Sequence, residues 1–466
     1  MSSLIDSDTI CALATPPGRG GVGIIRISGP LCRTMAEKIL RRLPRPRYAV
    51  YSDFNDLSGA VVDSGIALFF PGPDSFTGED VLELQAHGGY FVLERLLNLV
   101  LELGGRLARP GEFSERAFLN NKMDLTQAEA IADLIDSCSA QAARSALRTL
   151  QGEFSNLIHN LVEEITALRV YIEASIDFSE EDIDFLSAGK TSQRLSTIIA
   201  QLDGVIAQAK QGAILKEGMS VVIAGKPNVG KSSLLNALAG RESAIVTDIA
   251  GTTRDILHEQ IGIDGMPLHI TDTAGLRNST DPVEQEGIRR ALKAISEADR
   301  ILLIIDAASE QPAPDQLAEY LHSTGFAQLE EPLKKGRLSL IFNKIDLLAP
   351  NSLPTSWQDK PADAPLLAVS AKHQYGLQAL REHLKQCMGY QADAEGGFIA
   401  RSRHLEALRK ARLELARGLE QLDRHQAGEL VAEDLRHAHQ YLGEITGEFS
   451  TDELLGRIFS SFCVGK

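Results

Sequence analysis

Between residues 126 and 176 the chain is almost free of Gly and Pro and repeats apolar positions at helical spacing, as in Ile131, Leu134 and Ile135 and then Leu157, Leu161, Ile165 and Leu168. That period predicts long helices there, and again over 191–210, 398–422 and 430–445, with a short apolar segment at 454–463. The stretch from 216 to 378 reads differently. Short apolar runs (Met219, Val221, Val222, Ile223; Leu268 to Ile270; Ile301 to Ile305; Leu338 to Phe342) alternate with helical patterns such as Leu234, Leu235, Ala237 and Leu238. Such runs suit strands buried on both faces, and their alternation with helices predicts an α/β module. The first 120 residues are richer in short β-like runs punctuated by Gly and Pro. A helix with one apolar stripe must bury it, and the economical partner for each helical set is the other one. The expected organisation is therefore 1–120 as an N-terminal domain, 121–215 and 379–466 as two segments of one discontinuous helical domain, and 216–378 as a module inserted between them. Hinges are expected near 212–218 and 376–386.

The inserted module carries ordered chemistry. Gly225, Lys226, Pro227, Asn228, Val229, Gly230, Lys231 and Ser232 sit between a predicted strand and a predicted helix. In that context glycines let backbone N–H groups face phosphate, Lys231 reaches the β and γ oxygens, Ser232 holds Mg²⁺, and the helix N-terminus adds its dipole. Alone, the loop leaves ATP and GTP both open. Then follow Asp272, Thr273, Ala274 and Gly275; Asn343, Lys344, Ile345 and Asp346; and Ser370, Ala371 and Lys372. Asn343 and Asp346 point to guanine, because a carboxylate accepts from N1–H and the 2-amino group, a donor pair adenine lacks. Each motif falls at the C-terminal end of a predicted strand, where open α/β sheets bind ligands.

Composition narrows the class. A chain of 466 residues with 44% apolar and 24% charged residues is a multidomain globular protein, and no run approaches a membrane span. Asp6 and Asp8 stand where a secretory signal would be basic. Cys11, Cys32, Cys138, Cys387 and Cys463 lack Cys-x-x-Cys pairing, which fits a reducing cytoplasm and disfavours zinc. A net charge of −16 opposes broad nucleic-acid binding, so any RNA contact must be local. Two basic clusters are available: Lys38, Arg41, Arg42, Arg45 and Arg47, and the helical series Arg401, Arg403, His404, Arg409, Lys410 and Arg412, the latter balanced by Glu406 and Glu414 as on an ordinary solvated face. Gly18 to Gly23 matches a dinucleotide fingerprint, but β-branched Ile24, Ile25 and Ile27 follow it instead of a helix, so it reads as a strand-to-strand turn. Glu79, Asp80, Glu83, His87, Glu112 and Arg116 are candidates to line a polar pocket.

With these residues in place the chain resembles the MnmE (TrmE) family of tRNA-modification GTPases over its full length. The resemblance rests on Thr15 to Gly23, Phe76 to Asp80, Arg109 to Phe113, the loop with Pro227 and Asn228, Gly251 to Asp255, and the terminal Cys463, Val464, Gly465 and Lys466. It implies a multidomain α/β plus α fold, with a Ras-like P-loop G domain inserted into a discontinuous helical domain and an N-terminal α+β tetrahydrofolate-binding-like domain that makes a homodimer. It also implies 5-formyl- or methylene-tetrahydrofolate held by Arg26, Glu83, Lys122 and Lys466, and modification chemistry involving Cys463. The implied partners are tRNA and the FAD-dependent flavoprotein MnmG (GidA), in a heterotetramer or larger complex. The implied reaction modifies C5 of the wobble uridine at position 34, with glycine or ammonium as the added amine.

The G motifs lack one group. Leu276 follows Gly275 where Ras-like enzymes have the glutamine that orients water, and leucine cannot orient water. The family resemblance supplies the replacements: K⁺ held by Asn228, Thr247, Ile249 and Thr252, and Glu284 as the water-positioning carboxylate. Glu284 also reads as a helix-entry acid after Asp281 and Pro282. Thr253 joins Ser232 on Mg²⁺, and Ser233, Asp248, Ala250 and Gly251 complete the expected nucleotide contacts. Arg254 and Arg277 are rival sources of positive charge. The competing class is a ribosome-assembly switch of the Era or Der type, but a second set of GTP motifs or a later Gly-x-x-Gly element is not found.

Overall fold

The computed structural model describes residues 8–16, 18–137, 139–177, 188–239, 258–264, 266–272, 282–313, 316–348, 364–390, 397–425, 428–463 and 465. Packing divides the chain into two units: Met1–Ile135 with Leu147–Asp203 and Glu406–Lys466, and Asp136–Ala146 with Gly204–Leu405.

The first unit opens with β1 (Ile10–Leu13), β2 (Gly20–Ser28), α1 (Cys32–Leu40), β3 (Val50–Asn55), β4 (Val61–Phe70), β5 (Val81–Gly88), α2 (Tyr90–Glu102) and β6 (Arg106–Leu107). The sheet order is β3-β4-β5-β2-β1-β6, antiparallel except where β6 joins β1. Alternation sorts its faces: Ile25, Ile27, Phe54, Ala67, Phe69, Leu82 and Leu84 bury against Met35 and Ile39 of α1 and Leu96 and Val100 of α2. The intervening residues, among them Arg26, Tyr51 and Glu83, therefore lie on the opposite face. The glycine run at 18–23 leads from β1 into β2, with Ala14 N donating to Ile24 O at 2.7 Å. A strand follows it, as the sequence predicts, so a pyrophosphate would meet no helix N-terminus there.

Next come α3 (Glu112–Leu119), α4 (Leu125–Ile135), α5 (Ala140–Leu150), α6 (Glu153–Asp177) and α7 (Ala188–Glu217). The helical stretch expected over 126–176 is thus three helices, with Gly152 at φ +88° supplying the left-handed break before α6.

The second unit contains β7 (Met219–Gly225), α8 (Lys231–Ala239), β8 (His258–Ile263), β9 (Met266–Asp272), α9 (Pro282–Glu297), β10 (Arg300–Asp306), α10 (Leu317–Ser323), α11 (Glu330–Lys334), β11 (Leu338–Asn343), β12 (Leu366–Ala368) and α12 (Leu377–Met388). The strands order as β12-β11-β10-β7-β9-β8, parallel except for the antiparallel pair β8 and β9. Both faces are covered by apolar clusters, which explains the uninterrupted burial of β11. Leu377, Leu380 and Leu384 of α12 share a core with Val221, Ile223 and Leu268. A module boundary after residue 378 would cut through that helix, which runs to Met388. Of the segments expected as hinges, 376–386 is the cap and body of α12, and 212–218 is the end of α7, where a Cβ on Gly212 would come 2.1 Å from Phe398 O, followed by Gly218 at φ +68°.

The chain then forms α13 (Ser402–His425), α14 (Gly428–Thr446) and α15 (Asp452–Ser460). Helix α14 packs along α6. Thr451 caps α15 by accepting from Leu454 N at 3.3 Å. Beyond α15, Gly111 N donates to Cys463 O at 3.3 Å and Arg26 Nη1 to Gly465 O at 3.3 Å, so the tail docks on the N-terminal sheet domain.

Candidate nucleotide-binding site

The phosphate loop leaves β7 at Gly225 and enters α8 at Lys231. Two glycines are sterically required. A Cβ on Gly225 would stand 2.6 Å from Ile304 O, and one on Gly230, at φ +96°, would stand 2.4 Å from Asn343 Nδ2. Asn228 adopts φ +65° between them, an uncommon conformation for a residue with a side chain. Lys344 Nζ supports it, donating to Asn228 O at 2.7 Å and to Asp306 Oδ2 at 2.7 Å. Lys231 Nζ donates to Gly225 O at 3.0 Å and Lys226 O at 3.1 Å, which holds the ammonium over the loop. Ser232 and Ser233 are exposed in the first turn of α8. A backbone loop that two glycines let lie against Ile304 and Asn343, a helix N-terminus and a poised lysine fit a nucleoside phosphate chain.

The base-recognition loop is tied to that cradle. Asn343, buried at the end of β11, donates from Nδ2 to Val229 O at 2.9 Å and accepts at Oδ1 from Ala371 N at 3.1 Å. Sequence reasoning expects Asn343 and Asp346 to read the base; in the fold the Asn343 amide joins the phosphate loop to the Ser370–Ala371 turn. Asp346 lies beside that turn. Its Oδ1 accepts from Ser370 Oγ at 2.6 Å, and that hydroxyl holds the carboxyl below its usual range. Lys372 is exposed beside this turn.

A cluster that sequence reasoning missed flanks the loop. Lys226 Nζ donates to Glu310 Oε1, Tyr320 Oη donates to Glu310 Oε2 at 2.6 Å, and Lys226 Nζ lies 5.8 Å from the centre of the Tyr320 ring. Burial raises the Glu310 carboxyl, but the bonds from Lys226 and Tyr320 outweigh it and leave the acid below its usual range. Lys226 and Glu310 are 84 positions apart, and nothing in their local spacing joins them.

The N-terminal residues expected to hold a pterin cofactor are partly assembled. Arg26 Nε donates to Glu83 Oε1 at 2.9 Å, and its guanidinium lies 5.7 Å from the Phe76 ring centre and 5.9 Å from that of Phe113. Lys122 stands near Gly78, where an added Cβ would come 3.4 Å from Lys122 Cγ. The polar residues beside them are committed to one another. Glu112, fully buried, accepts from Arg106 at 2.7 Å and from Arg109 N at 2.7 Å, while Arg116 donates to Asp8 and Glu79. Burial pushes Glu112 up, yet the arginine bonds bring its carboxyl down to about 2. Glu79, Glu112 and Arg116, expected as pocket-lining groups, are therefore an internal ion network, and His87 pairs with Asp63 on the surface at 2.8 Å.

Thr247, Asp248, Ile249, Ala250, Gly251, Thr252, Thr253, Arg254, Thr273, Ala274, Gly275, Leu276, Arg277 and Lys466 lie outside the described residues. The backbone of Asp272 ends β9 opposite Ile223, and that of Glu284 is in the first turn of α9.

This sheet order, with a glycine loop feeding a helix and a carboxylate turn beside it, defines the second unit as a P-loop G domain of the Ras-like class. Comparison extends that from the module to the chain. A family model described as the MnmE helical domain matches residues 125–463, and one described as the GTP-binding protein TrmE N-terminus matches 9–122. The tRNA modification GTPase MnmE of Pseudomonas syringae pv. tomato is 59% identical over 462 residues, 99% of this chain and 100% of that one. The protein of the same name from Proteus mirabilis is 57% identical over 463 residues, 99% of each chain. Among solved structures, the G domain of the T. maritima FeoB iron transporter is 25% identical, covers 36% of this chain and 98% of that one, and has a TM-score of 0.27. The chain belongs to the MnmE family.

Proposed function

We propose that this chain hydrolyses GTP and that the hydrolysis cycle drives modification of tRNA, the activity named for its relatives. The observation that supports the reading is the Asn343 amide, bonded to Val229 O of the phosphate loop and to Ala371 N beside Ser370, which itself bonds Asp346. Binding GTP exchanges the loop carbonyls on Lys231 for β and γ phosphate oxygens. Ser232 and Thr253 hold Mg²⁺, which when bound neutralises charge on the phosphates. Leu276 cannot orient the attacking water, and the family resemblance assigns that role to Glu284. Asn228, Thr247, Ile249 and Thr252 hold K⁺, which when bound supplies the positive charge an arginine finger supplies in other G proteins. Thr247 to Thr253, Asp272 to Gly275, Asn343 to Asp346 and Ser370 to Lys372 complete the GTP contacts.

The reading extends to a homodimer working with MnmG (GidA) on C5 of the wobble uridine. Arg26, Glu83, Lys122 and Lys466 hold a reduced folate as one-carbon source, with Cys463 beside it. The sheet face carrying Arg26 and Glu83, with the tail docked at Gly465, supports that placement.

Kinetic and cellular measurements test this. GTP turnover in KCl should exceed that in NaCl, and Glu284→Ala should bind GTP normally yet hydrolyse it slowly; undiminished turnover removes Glu284 from the chemistry. Loss of potassium stimulation in Arg254→Ala or Arg277→Ala, with binding intact, counts against charge neutralisation by potassium alone. Mass spectrometry of tRNA nucleosides from cells lacking the chain should show the wobble modification missing. Its full retention overturns the function and returns the ribosome-assembly reading.

A further inference from the structure

Helix α1 ends at Leu40, and Arg41 caps it in the left-handed conformation at φ 59°. Pro44 and Pro46 prevent the helix from resuming, and the chain crosses to β3, which among the described residues pairs with β4 alone. Leu40 and Pro44 are buried along this path, while Lys38, Arg41, Arg42, Arg45, Arg47, Tyr48 and Tyr51 are all exposed. Strand β3 is the free edge of the sheet, so these side chains form a ledge at one rim of the domain.

The ledge is unusual for how few of its cations are neutralised. In the same domain Arg26 pairs with Glu83, Arg33 with Asp80, Arg95 with Asp56, and Arg106 and Arg116 with Asp8 and Glu112. Among the described residues Lys38, Arg41, Arg42 and Arg45 have no carboxylate within 4.0 Å, and Arg47 meets only Asp74, at 3.9 Å. Arg42 and Arg47 instead donate to the main-chain carbonyls of Tyr51 at 3.3 Å and Asp74 at 2.5 Å, which fixes their direction without cancelling their charge. A helix C-terminus accounts for Lys38 and Arg41. It does not account for Arg42, Arg45 and Arg47, which follow the cap. In a chain of net charge −16 this is a local concentration of uncompensated positive charge.

Aromatic surface is interleaved with it. The Arg45 guanidinium lies 4.0 Å from the centre of the Tyr48 ring, and Tyr51 is 72% exposed on the strand face. Asp53, two positions on along the same face, accepts from Ser64 Oγ at 2.6 Å and marks where the cationic surface ends. Exposed ring faces beside unpaired guanidinium groups match a strand that offers phosphates and unstacked bases, since every base has a π face. An acidic peptide would use the charges and leave the rings idle.

We propose that this ledge, Lys38 to Tyr51 at the free edge of the N-terminal sheet, docks RNA, the arginines meeting phosphates and Tyr51 stacking an unpaired base. It rests on the tRNA reading above and adds the surface on which the RNA lies.

The test uses the full chain and fluorescence anisotropy with an unmodified tRNA transcript, a single-stranded RNA and heparin, over a range of KCl. Arg41, Arg42, Arg45 and Arg47 are replaced together by Gln in one variant, and Tyr51→Ala is the other. For single strands each lost phosphate contact flattens the slope of log affinity against log salt by about 0.7, so four should flatten it by about 3. The quadruple variant should bind tRNA at least about tenfold more weakly near 0.1 M salt, and Tyr51→Ala about five- to tenfold more weakly with its slope unchanged. GTP turnover should stay at the wild-type rate in both, which also reports that they fold. Wild-type affinity and slope in the quadruple variant overturn the proposal. So does an effect of the four substitutions on heparin equal to that on RNA together with no effect of Tyr51→Ala, or displacement of tRNA by polyglutamate as readily as by single-stranded RNA. The nucleoside measurement separates the two readings: cells lacking the chain that keep the modification refute the function, whereas variants that restore it fully and bind like wild type refute only the ledge.

Discussion

On the proposed reading Asp346 carries most of the discrimination for guanine, and its environment says how. Ser370 Oγ at 2.6 Å fixes one oxygen, and the carboxyl is held below its usual range, so at neutral pH it is an ionised, oriented acceptor. Guanine offers N1–H and a 2-amino group to such an acceptor. Xanthine replaces the amino group with an oxygen. Asp346→Asn should therefore lower GTP affinity by about 10² to 10³ and raise that for xanthosine triphosphate, because a site built around particular polar partners rejects an analogue that leaves them unpaired. Competition of the two nucleotides for the variant, read by equilibrium binding, checks this, and unchanged preference for GTP would move base recognition elsewhere. Asn343 shows the limit of reading such a residue by motif. Its identity is legible in the sequence, but its partner Val229 lies 114 positions away, so only the fold shows that its amide is occupied in tying loops together.

At the scale of elements, the phosphate loop is held from two sides: by Lys344 and Asp306 at Asn228, and by the Glu310 and Tyr320 pair at Lys226. The second tie links the loop to the chain after β10. Lys226 and Glu310 are about a third exposed, so the tie stabilises the loop by about 0.5 to 1 kcal/mol. Glu310→Gln should weaken GDP binding two- to fivefold and Tyr320→Phe somewhat less, with faster amide hydrogen exchange at 226–228. Equal exchange in wild type and variant would leave the cluster without a hold on the loop. On α12, His383 Nε2 meets Ser339 Oγ at 2.8 Å, and Ser339 Oγ accepts from Arg300 Nε at 2.7 Å. Burial, and then the charge of Arg300, bring the imidazole down to about 4 from 6.5. The folded state thus prefers neutral His383: its contribution is complete above about pH 6.5 and declines as pH falls toward 4. Denaturant titrations should show a shallower loss over that interval for His383→Gln than for wild type, and parallel curves would count against the assignment. Strand and helix identities were legible because buried parallel strands and one-sided helices have distinct periods. The boundary at α12 was not, because Leu377, Leu380 and Leu384 are equally suited to a bundle or a sheet face, and only packing on Ile223 and Leu268 decides.

At the scale of the whole molecule, the chain holds two units with separate apolar cores. The nucleotide groups of the phosphate and base loops belong to the second. The buried ion network of Asp8, Arg106, Glu112 and Arg116 belongs to the first. Ligand and strong acid should therefore act on different units, because the His383 loss in the G domain is complete by about pH 4. A ligand that binds only the folded state at 100 times its dissociation constant stabilises it by about 2.7 kcal/mol, and GDP should deliver that to the G domain. Acid should act on the first unit: Asp8 is lowered to about 2 by the Arg106 bond, and Glu112 reaches about 2 despite burial, so their contribution is complete above about pH 5 and is lost as pH falls toward 2. Calorimetry should resolve two transitions, of which GDP raises one, while lowering the pH from about 4 toward 2 lowers the other. A single transition displaced as a whole by GDP would mean instead that the units unfold together, and that nucleotide binding in the G domain is felt energetically at the sheet carrying Arg26 and Glu83.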